Sequence, residues 1–239
     1  MEKKLEARQE NWKYLVNALR KGGGDERFRN LCEWFFEGQP TIVACAERAY
    51  GDLQRRLSGI SKISESEKKE YKNKIYTYID EQINELLDPR KPFSRSQSDF
   101  DAWHKNVCTG ICEISECIRG EGIKFSYGHA QKWLNMTLKN MLVAETEDWW
   151  SSINRIRDLL HVPIDRDVIQ AADFQLGIRR TGEKKERYIS EKYISWSNWD
   201  DYDGEYMTFQ NKVRDAIESR DDYDCPIDWE FEAWIAARD

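Results

Sequence analysis

The sequence predicts an all-helical protein, and two observations lead to this fold class. Apolar residues recur three and four positions apart along most of the chain, which is the spacing that buries one face of a helix. Few stretches alternate apolar and polar residues in the way that a half-buried strand requires. Glycine and proline clusters, at 22–24 and 88–92 for example, divide the periodic stretches into separate elements.

The predicted helices follow one another along the chain, and a loop-like aromatic stretch at 188–203 precedes the last two. We predict them at 6–21, 25–37, 40–57, 67–87, 100–119, 129–144, 148–160, 166–176, 206–219 and 228–237. The polar loop at 94–98 is the best candidate for a junction between subdomains. We therefore expect an N-terminal helical subdomain over 1–98 and a second helical subdomain over 99–239.

The predicted helix 129–144 has two faces of different character. Its buried stripe is expected to consist of five apolar residues, namely Ala130, Leu134, Leu138, Met141 and Leu142. On a second face, Lys132, Met136 and Lys139 are four and then three residues apart, so they lie one above another. The plainest interpretation is that both lysines are solvated, because lysine is almost never fully buried. Gly128 indicates a tight hairpin just before this helix, with amides that could approach a phosphate.

Asp165 lies where one predicted helix ends and the next begins. Pro163 forces the residue before it out of the helical region, so the preceding helix must stop. Asp165 is then placed to cap a helix over 166–176, which Gly177 ends. Two interpretations follow: a plain helix cap, or a carboxylate that a helix start holds against Lys132.

Together these residues resemble the catalytic region of the helix-hairpin-helix DNA glycosylase superfamily. A lysine that opens a helix is followed by a Pro-x-Asp-x-x-Val segment and by a short helix that ends in Leu-Gly. The sequence is most similar to the archaeal 8-oxoguanine DNA glycosylases, in which a base-contacting lysine lies seven residues after the catalytic lysine. Lys132 and Lys139 have this spacing, and Asp165 follows Lys132 at about the interval of that branch.

The resemblance implies roles for nine residues. Lys132 would attack the sugar and form a Schiff base, and Asp165 would stabilise the transition state. The implied base-binding residues are Met136, Lys139, Glu230 and Trp234. The implied contacts to the DNA backbone come from Lys124, Gly128 and His129. The implied fold is helix-hairpin-helix glycosylase-like, with the site in the cleft between the two helical subdomains.

The implied function is that of a DNA glycosylase with AP lyase activity, which excises a flipped damaged or modified base. Oxidised guanine is the base that the family suggests. Glu230 stands where the family has an aspartate, and Met136 stands where it has an aromatic residue. Because of these departures, the identity of the excised base is not determined. A virus-type modified base, whose removal would serve defence, is one of the options.

The charged residues are unevenly distributed along the chain. The formal net charge is −7, which disfavours binding to DNA. The stretch 193–239 contains 13 acidic and 4 basic side chains, a net charge of −9, which leaves +2 for the rest of the chain. The segment 179–187 is basic and could face phosphates or be a solvated loop.

The expectations for cofactors and cellular context come from cysteine spacing and hydropathy. Among the six cysteines, Cys108, Cys112 and Cys117 are close together but lack a near fourth, so buried free thiols are expected rather than a cluster site. The three histidines show no metal-binding spacing. We expect no cofactor and no metal, no membrane contact, a monomer, and a cytoplasmic location.

Two other functions are compatible with the sequence. One is a helical DNA-binding module of the same fold without chemistry. The other is an unrelated helical protein-interaction domain, which the acidic C-terminal quarter favours.

Overall fold

The computed structural model describes residues 41–54, 57, 64–90, 96–118, 125–144, 149–178, 195–199 and 202–236. Within these ranges the chain forms helices and loops and no strand, so the predicted all-α class is confirmed. The predicted helices at 6–21 and 25–37 lie outside the described residues, and so do Lys124 and the basic segment 179–187.

The α-helices of the described ranges follow the chain order. They are α1 (Ile42–Leu53), α2 (Glu65–Leu87), α3 (Gln97–Ile118), α4 (Tyr127–Val143), α5 (Trp150–Asn154), α6 (Arg166–Leu176), α7 (Met207–Glu218) and α8 (Pro226–Ala236). Two 3-10 turns, Arg157–Leu159 and Trp196–Asn198, and an irregular turn over Tyr202–Tyr206 connect them.

Helix α4 is the central helix of the fold. Every residue from Tyr127 to Val143 is buried, so the helix is enclosed on all sides rather than along one stripe. It packs against α1, α3, α5 and the Trp196–Asn198 turn. The expectation of solvated lysines is therefore wrong, because Lys132 and Lys139 are only 5% and 1% exposed.

Polar side chains of α4 join it to α1. Trp133 Nε1 donates to the carbonyl of Ala46 at 3.0 Å, and Asn140 Nδ2 donates to the carbonyl of Cys45 at 3.0 Å. The Trp133 ring also packs against Tyr50, with 5.1 Å between the ring centroids. Because these buried donors are satisfied, α1 is fixed against α4 by hydrogen bonds as well as by apolar contact.

The last three helices form a second group. Helices α6, α7 and α8 pack against one another, and α8 also contacts the Arg157–Leu159 turn. An ion pair between Arg157 and Asp228 fastens this turn to α8. The four charged residues described below lie where α4 meets this second group.

The predicted helix 148–160 is only partly correct. It divides into α5, which ends at Asn154, and the separate 3-10 turn Arg157–Leu159. The buried residues here are Ile153, Ile156, Leu159 and Leu160, and the first three of them are three apart. A 3-10 helix has three residues per turn, so the spacing of these three suits 3-10 geometry better than α-helical geometry.

Three of the four cysteines whose side chains the structure describes are buried, as expected. Cys45, Cys108 and Cys225 are buried and Cys112 is partly buried, while Cys32 and the side chain of Cys117 lie outside the described residues.

Within the described part of the chain, no group of three His, Cys, Asp or Glu side chains could hold a metal ion. A search of the same residues finds no helix with the length and apolar character needed to cross a membrane.

Candidate functional site

Lys132 and Asp165 form a buried ion pair. Lys132 Nζ donates to Asp165 Oδ2 at 2.8 Å, and the two side chains are 7% and 21% exposed. Lys132 lies one turn into α4, whereas Asp165 is 33 residues further along the chain, just before α6. The pair is thus shielded from bulk water but is open on the side of the carboxylate.

Asp165 is held by a helix start, as the sequence predicted. It is the N-cap of α6, with extended backbone, and its Oδ1 accepts the amide of Val168 at 2.9 Å. At the other end of α6, Gly177 adopts a left-handed conformation with φ 66°, so the predicted C-terminal glycine is also confirmed. One carboxylate oxygen therefore fixes the residue while the other faces Lys132.

The environment keeps Asp165 ionised. Burial acts to raise the pKa of Asp165, but the charge and hydrogen bond of Lys132 and the amide of Val168 outweigh it, so the pKa is lowered. A carboxylate that stays charged in a largely buried position can stabilise positive charge that develops beside it.

Lys139 and Glu230 form a second and deeper ion pair. Lys139 lies two turns after Lys132 on α4, and Glu230 comes from α8. Their side chains are 1% and 0% exposed. Lys139 Nζ also lies 4.6 Å from the ring centroid of Phe231, which adds a cation–π contact. Both charges are thus removed from water and balanced by each other.

The two ion pairs act on each other. Burial lowers the pKa of Lys139, and the positive charge of Lys132 lowers it further, while Glu230 opposes both effects. Met136, which is 8% exposed, lies between the two lysines on α4. The structure thus brings five of the nine predicted residues into one region: Lys132, Met136, Lys139, Asp165 and Glu230. The backbone of Trp234 belongs to α8, but its side chain lies outside the described residues.

Glutamine side chains hold the segment that carries Asp165. Gln131 binds both backbone groups of Ile164, accepting from its N–H at 3.2 Å and donating to its carbonyl at 3.0 Å. Gln210, from α7, does the same for Val162, at 3.1 and 2.8 Å. Pro163 lies between them and has no N–H to satisfy. Gln131 of α4 therefore binds the residue directly before Asp165, whereas Gln210 of α7 binds the backbone two residues earlier.

A buried polar network lies behind this segment. His161 Nε2 is 2.7 Å from Asp101 Oδ1, its Nδ1 is 2.6 Å from the hydroxyl of Tyr206, and Arg214 donates to the same carboxylate at 2.7 and 3.0 Å. Burial lowers the pKa of His161 to about 4 despite the hydrogen bond of Asp101. The ring is thus neutral at pH 7, and it anchors the segment to α3 and to the turn at Tyr202–Tyr206.

Gly128 and His129 are both buried at the start of α4. Gly128 lies inside the first turn of α4, where its amide donates to the carbonyl of Trp199 at 2.9 Å. His129 is 3% exposed, and its Nδ1 accepts from the amide of Ser126 in a capping box. The start of α4 at Gly128 is covered by the turn at Trp196, and the hairpin predicted before it falls mostly on residues outside the described ranges. The contacts predicted for Gly128 and His129 with the DNA backbone stay predictions.

Sequence reasoning missed three buried polar residues that bind the backbone of the 161–165 segment. Gln131, Asn135 and Gln210 are buried and engaged with the 161–165 segment, yet none was predicted to matter. One signal was present, because Gln131 and Asn135 flank Lys132 on a helix that is rich in apolar residues. Their partners are backbone groups about 30 residues away, which local patterns do not identify.

Comparisons with protein-family models, with curated proteins and with solved structures found no match to this chain. The function therefore has to be inferred from the arrangement of the side chains. The feature that calls for an explanation is the pair of buried lysine–carboxylate contacts along α4.

Proposed function

We propose that the chain is a DNA glycosylase with AP lyase activity, and that Lys132 and Asp165 perform the reaction. The observation that carries the proposal is the 2.8 Å contact between a lysine amine and a capping carboxylate, both largely buried. Replacing a buried ion pair with apolar residues is often neutral or stabilising, so packing alone does not require such a pair. A reactive amine beside a fixed carboxylate is a typical arrangement for covalent catalysis.

The proposed reaction begins when Asp165 takes a proton from Lys132. The neutral amine forms a bond to C1′ of the sugar, while the glycosidic bond breaks and the base leaves with the bonding electrons. One amine proton then passes to O4′, the C1′–O4′ bond breaks, and a protonated Schiff base to Lys132 remains. Loss of a proton from C2′ and cleavage of the C3′–O bond would cut the strand, and water then releases the lysine.

The second ion pair supplies groups for binding the base. Lys139 offers N–H donors and Glu230 offers acceptors, which are the groups that can read the edge of a flipped base. Met136 lies between the two lysines and would contact the face of the base, and Trp234 is proposed to stack on the opposite face. Because Lys139 and Glu230 bind each other in this structure, the base would have to separate them as it enters.

The finer description of the fold is part of the same proposal. A helix-hairpin-helix glycosylase-like arrangement would place the site in a cleft between two helical subdomains, at the level of α4. Two sets of contacts support this view. Helix α4 packs against α1 and α3, and it also forms ion pairs with Asp165 and with α8. The proposed substrate is DNA with a damaged or modified base, and the proposed active form is a monomer in the cytoplasm.

The test uses purified protein and a panel of duplexes, each of which contains one damaged or modified base. Oxidised guanine comes first, and virus-type modified bases follow. Abasic sites and strand breaks are measured for the wild type, Lys132→Gln and Asp165→Asn. Cleavage of one duplex that both substitutions abolish would support the proposal and identify the base. Cleavage that persists unchanged in both variants would reject the roles assigned to these residues.

One observation favours a helical protein-interaction domain over a protein that acts on DNA. The net charge of −7 lowers the affinity for DNA that is expected of an enzyme acting on it. A non-catalytic DNA-binding module would bind duplex DNA in a salt-dependent way without releasing a base. A protein-interaction domain would show no salt-dependent DNA binding at all, so a binding titration at two salt concentrations separates these alternatives.

A further inference from the structure

Gln131 links the two reactive groups of the proposed site through the backbone. It directly precedes Lys132 on α4, and both of its bonds to the 161–165 segment go to Ile164, which directly precedes Asp165. Each end of the link is therefore one residue away from a reactive side chain. The amide of Gln131 is fully buried at 0% exposure.

The side chain of Gln131 is itself fixed in place. Its Nε2 also donates to the carbonyl of Gly128 at 2.9 Å, and its Oε1 also accepts from Asn135 Nδ2 at 3.1 Å. With four hydrogen bonds, the amide has one orientation that satisfies all its partners. A satisfied buried network of this kind is rigid, so a displacement of Ile164 relative to α4 breaks several bonds together.

We propose that Gln131 is a positioning residue that sets the distance between the Lys132 amine and the Asp165 carboxylate. This inference rests on the proposed function and identifies a further residue on which the same site depends. A glutamine suits the position because it offers a donor and an acceptor at the same time, as the N–H and carbonyl of Ile164 require. A methionine of similar length offers no N–H donor and only a weak acceptor.

Gln210 provides a matched control within the same segment. It is 1% exposed and binds both backbone groups of Val162, so it makes the same kind of contact. It differs in two respects: Val162 is three residues from Asp165 instead of one, and α7 does not carry Lys132. Loss of either glutamine therefore leaves unsatisfied buried backbone groups, but only loss of Gln131 loosens the link between the two reactive groups.

The experiment compares Gln131→Met with Gln210→Met in two measurements. The first is the pKa of the Asp165 carboxyl by NMR titration, which requires no activity. The second is the limiting rate of borohydride trapping on a saturating duplex with one abasic site, together with the half-saturating duplex concentration. Trapping on an abasic site does not depend on which base the enzyme excises.

We expect Gln131→Met to raise the pKa of Asp165, because a looser contact with Lys132 stabilises the carboxylate less. We expect its limiting rate to fall about 10- to 100-fold with the half-saturating concentration unchanged, since a displacement of about 1 Å can cost about 100-fold in rate. Gln210→Met should leave the pKa of Asp165 unchanged. It should keep the limiting rate within about threefold of the wild type, a ratio that corresponds to about 0.6 kcal/mol.

Equal effects of the two substitutions on the pKa and the rate would overturn the positioning role. If Gln131→Met does not fold, Gln131→Asn takes its place, because its amide is one methylene too short to span Gly128 and Ile164, and the same result is expected. A wild type that traps no abasic duplex would reject the proposed chemistry, whereas the titration of Asp165 would still decide whether Gln131 sets the position of the carboxylate.

Discussion

Lys132 Nζ donates a 2.8 Å hydrogen bond to Asp165 Oδ2, and the other oxygen of the same carboxylate accepts the amide of Val168 at 2.9 Å. A single carboxylate thus joins the central helix to the start of another helix. Capping and charge pairing are separable properties, because an asparagine can cap a helix without carrying charge. This separation allows the structural and the chemical role of Asp165 to be tested independently.

The first prediction compares Asp165→Asn with Asp165→Ala. Asparagine retains an oxygen for the amide of Val168, whereas alanine does not. We expect the alanine variant to have a free energy of unfolding about 1 kcal/mol lower than that of the asparagine variant, measured by urea denaturation. Both variants should lose base release to the same degree, because each lacks the charge. Base release that is retained in Asp165→Asn alone would show that the cap, and not the charge, is what matters.

The second prediction concerns Lys139 and Glu230, whose side chains are 1% and 0% exposed. Lys139→Met should lower the free energy of unfolding by about 3–5 kcal/mol, because it leaves the carboxylate of Glu230 buried without its partner. The double variant Lys139→Met/Glu230→Leu should recover most of this loss. A double-mutant cycle with Glu230→Leu alone measures the coupling. Additive effects of the two substitutions would contradict the view that the charges balance each other in the interior.

The third prediction concerns Gly128, which lies against the turn at Trp196. A Cβ atom at this position would be 1.8 Å from the carbonyl oxygen of Trp196, and backbone cannot move aside as a flexible side chain can. We expect Gly128→Ala to lower the free energy of unfolding by about 1–3 kcal/mol, or more if the turn is displaced. Gly51→Ala is the control, because nothing lies within 4 Å of its Cβ position in helix α1. It should stabilise the protein by about 0.5–1 kcal/mol.

The fourth prediction concerns the pH dependence of stability through His161. Burial lowers its pKa in the folded protein to about 4, from an unfolded value of about 6.5. The unfolded state therefore binds the proton more readily, so the stabilising effect is present above about pH 6.5 and is lost as the pH falls towards 4. Urea denaturation at pH 7.5 and pH 5 should give a lower free energy of unfolding at pH 5.

An NMR titration of the imidazole checks the same prediction directly. His161 should remain neutral at pH 5.5 in the folded protein. A titration midpoint near pH 6.5 would show that the buried contacts of His161 with Asp101 and Tyr206 are absent in solution.

Parts of the fold could be predicted because their causes are local. The N-cap at Asp165 and the C-terminal Gly177 follow from residue types that favour those positions, and both are confirmed. Helix α2 ends at Leu87 as predicted, where a proline follows shortly afterwards. Such signals lie within a few residues of the feature that they determine, so a single sequence contains them.

The remaining features depend on contacts between distant parts of the chain. The burial of Lys132 and Lys139 results from helices that enclose α4 on all sides, and the spacing of its apolar residues indicates only one buried face. Gly128 lies in the first turn of α4, and it is covered there by the turn at Trp196, about 70 residues later. The pairing of Gln131 with Ile164 likewise joins groups that only the tertiary structure brings together.

The central claim is that Lys132 is a nucleophile, and one measurement tests it most directly. Wild-type protein is incubated with a duplex that contains an abasic site, sodium borohydride is added, and the cross-linked residue is located by mass spectrometry of the digested protein. We predict a covalent adduct on Lys132. The substitution Lys132→Gln should abolish it, and the surface control Lys105→Gln should retain it. An adduct on another lysine, or an equal yield from Lys132→Gln, would contradict it.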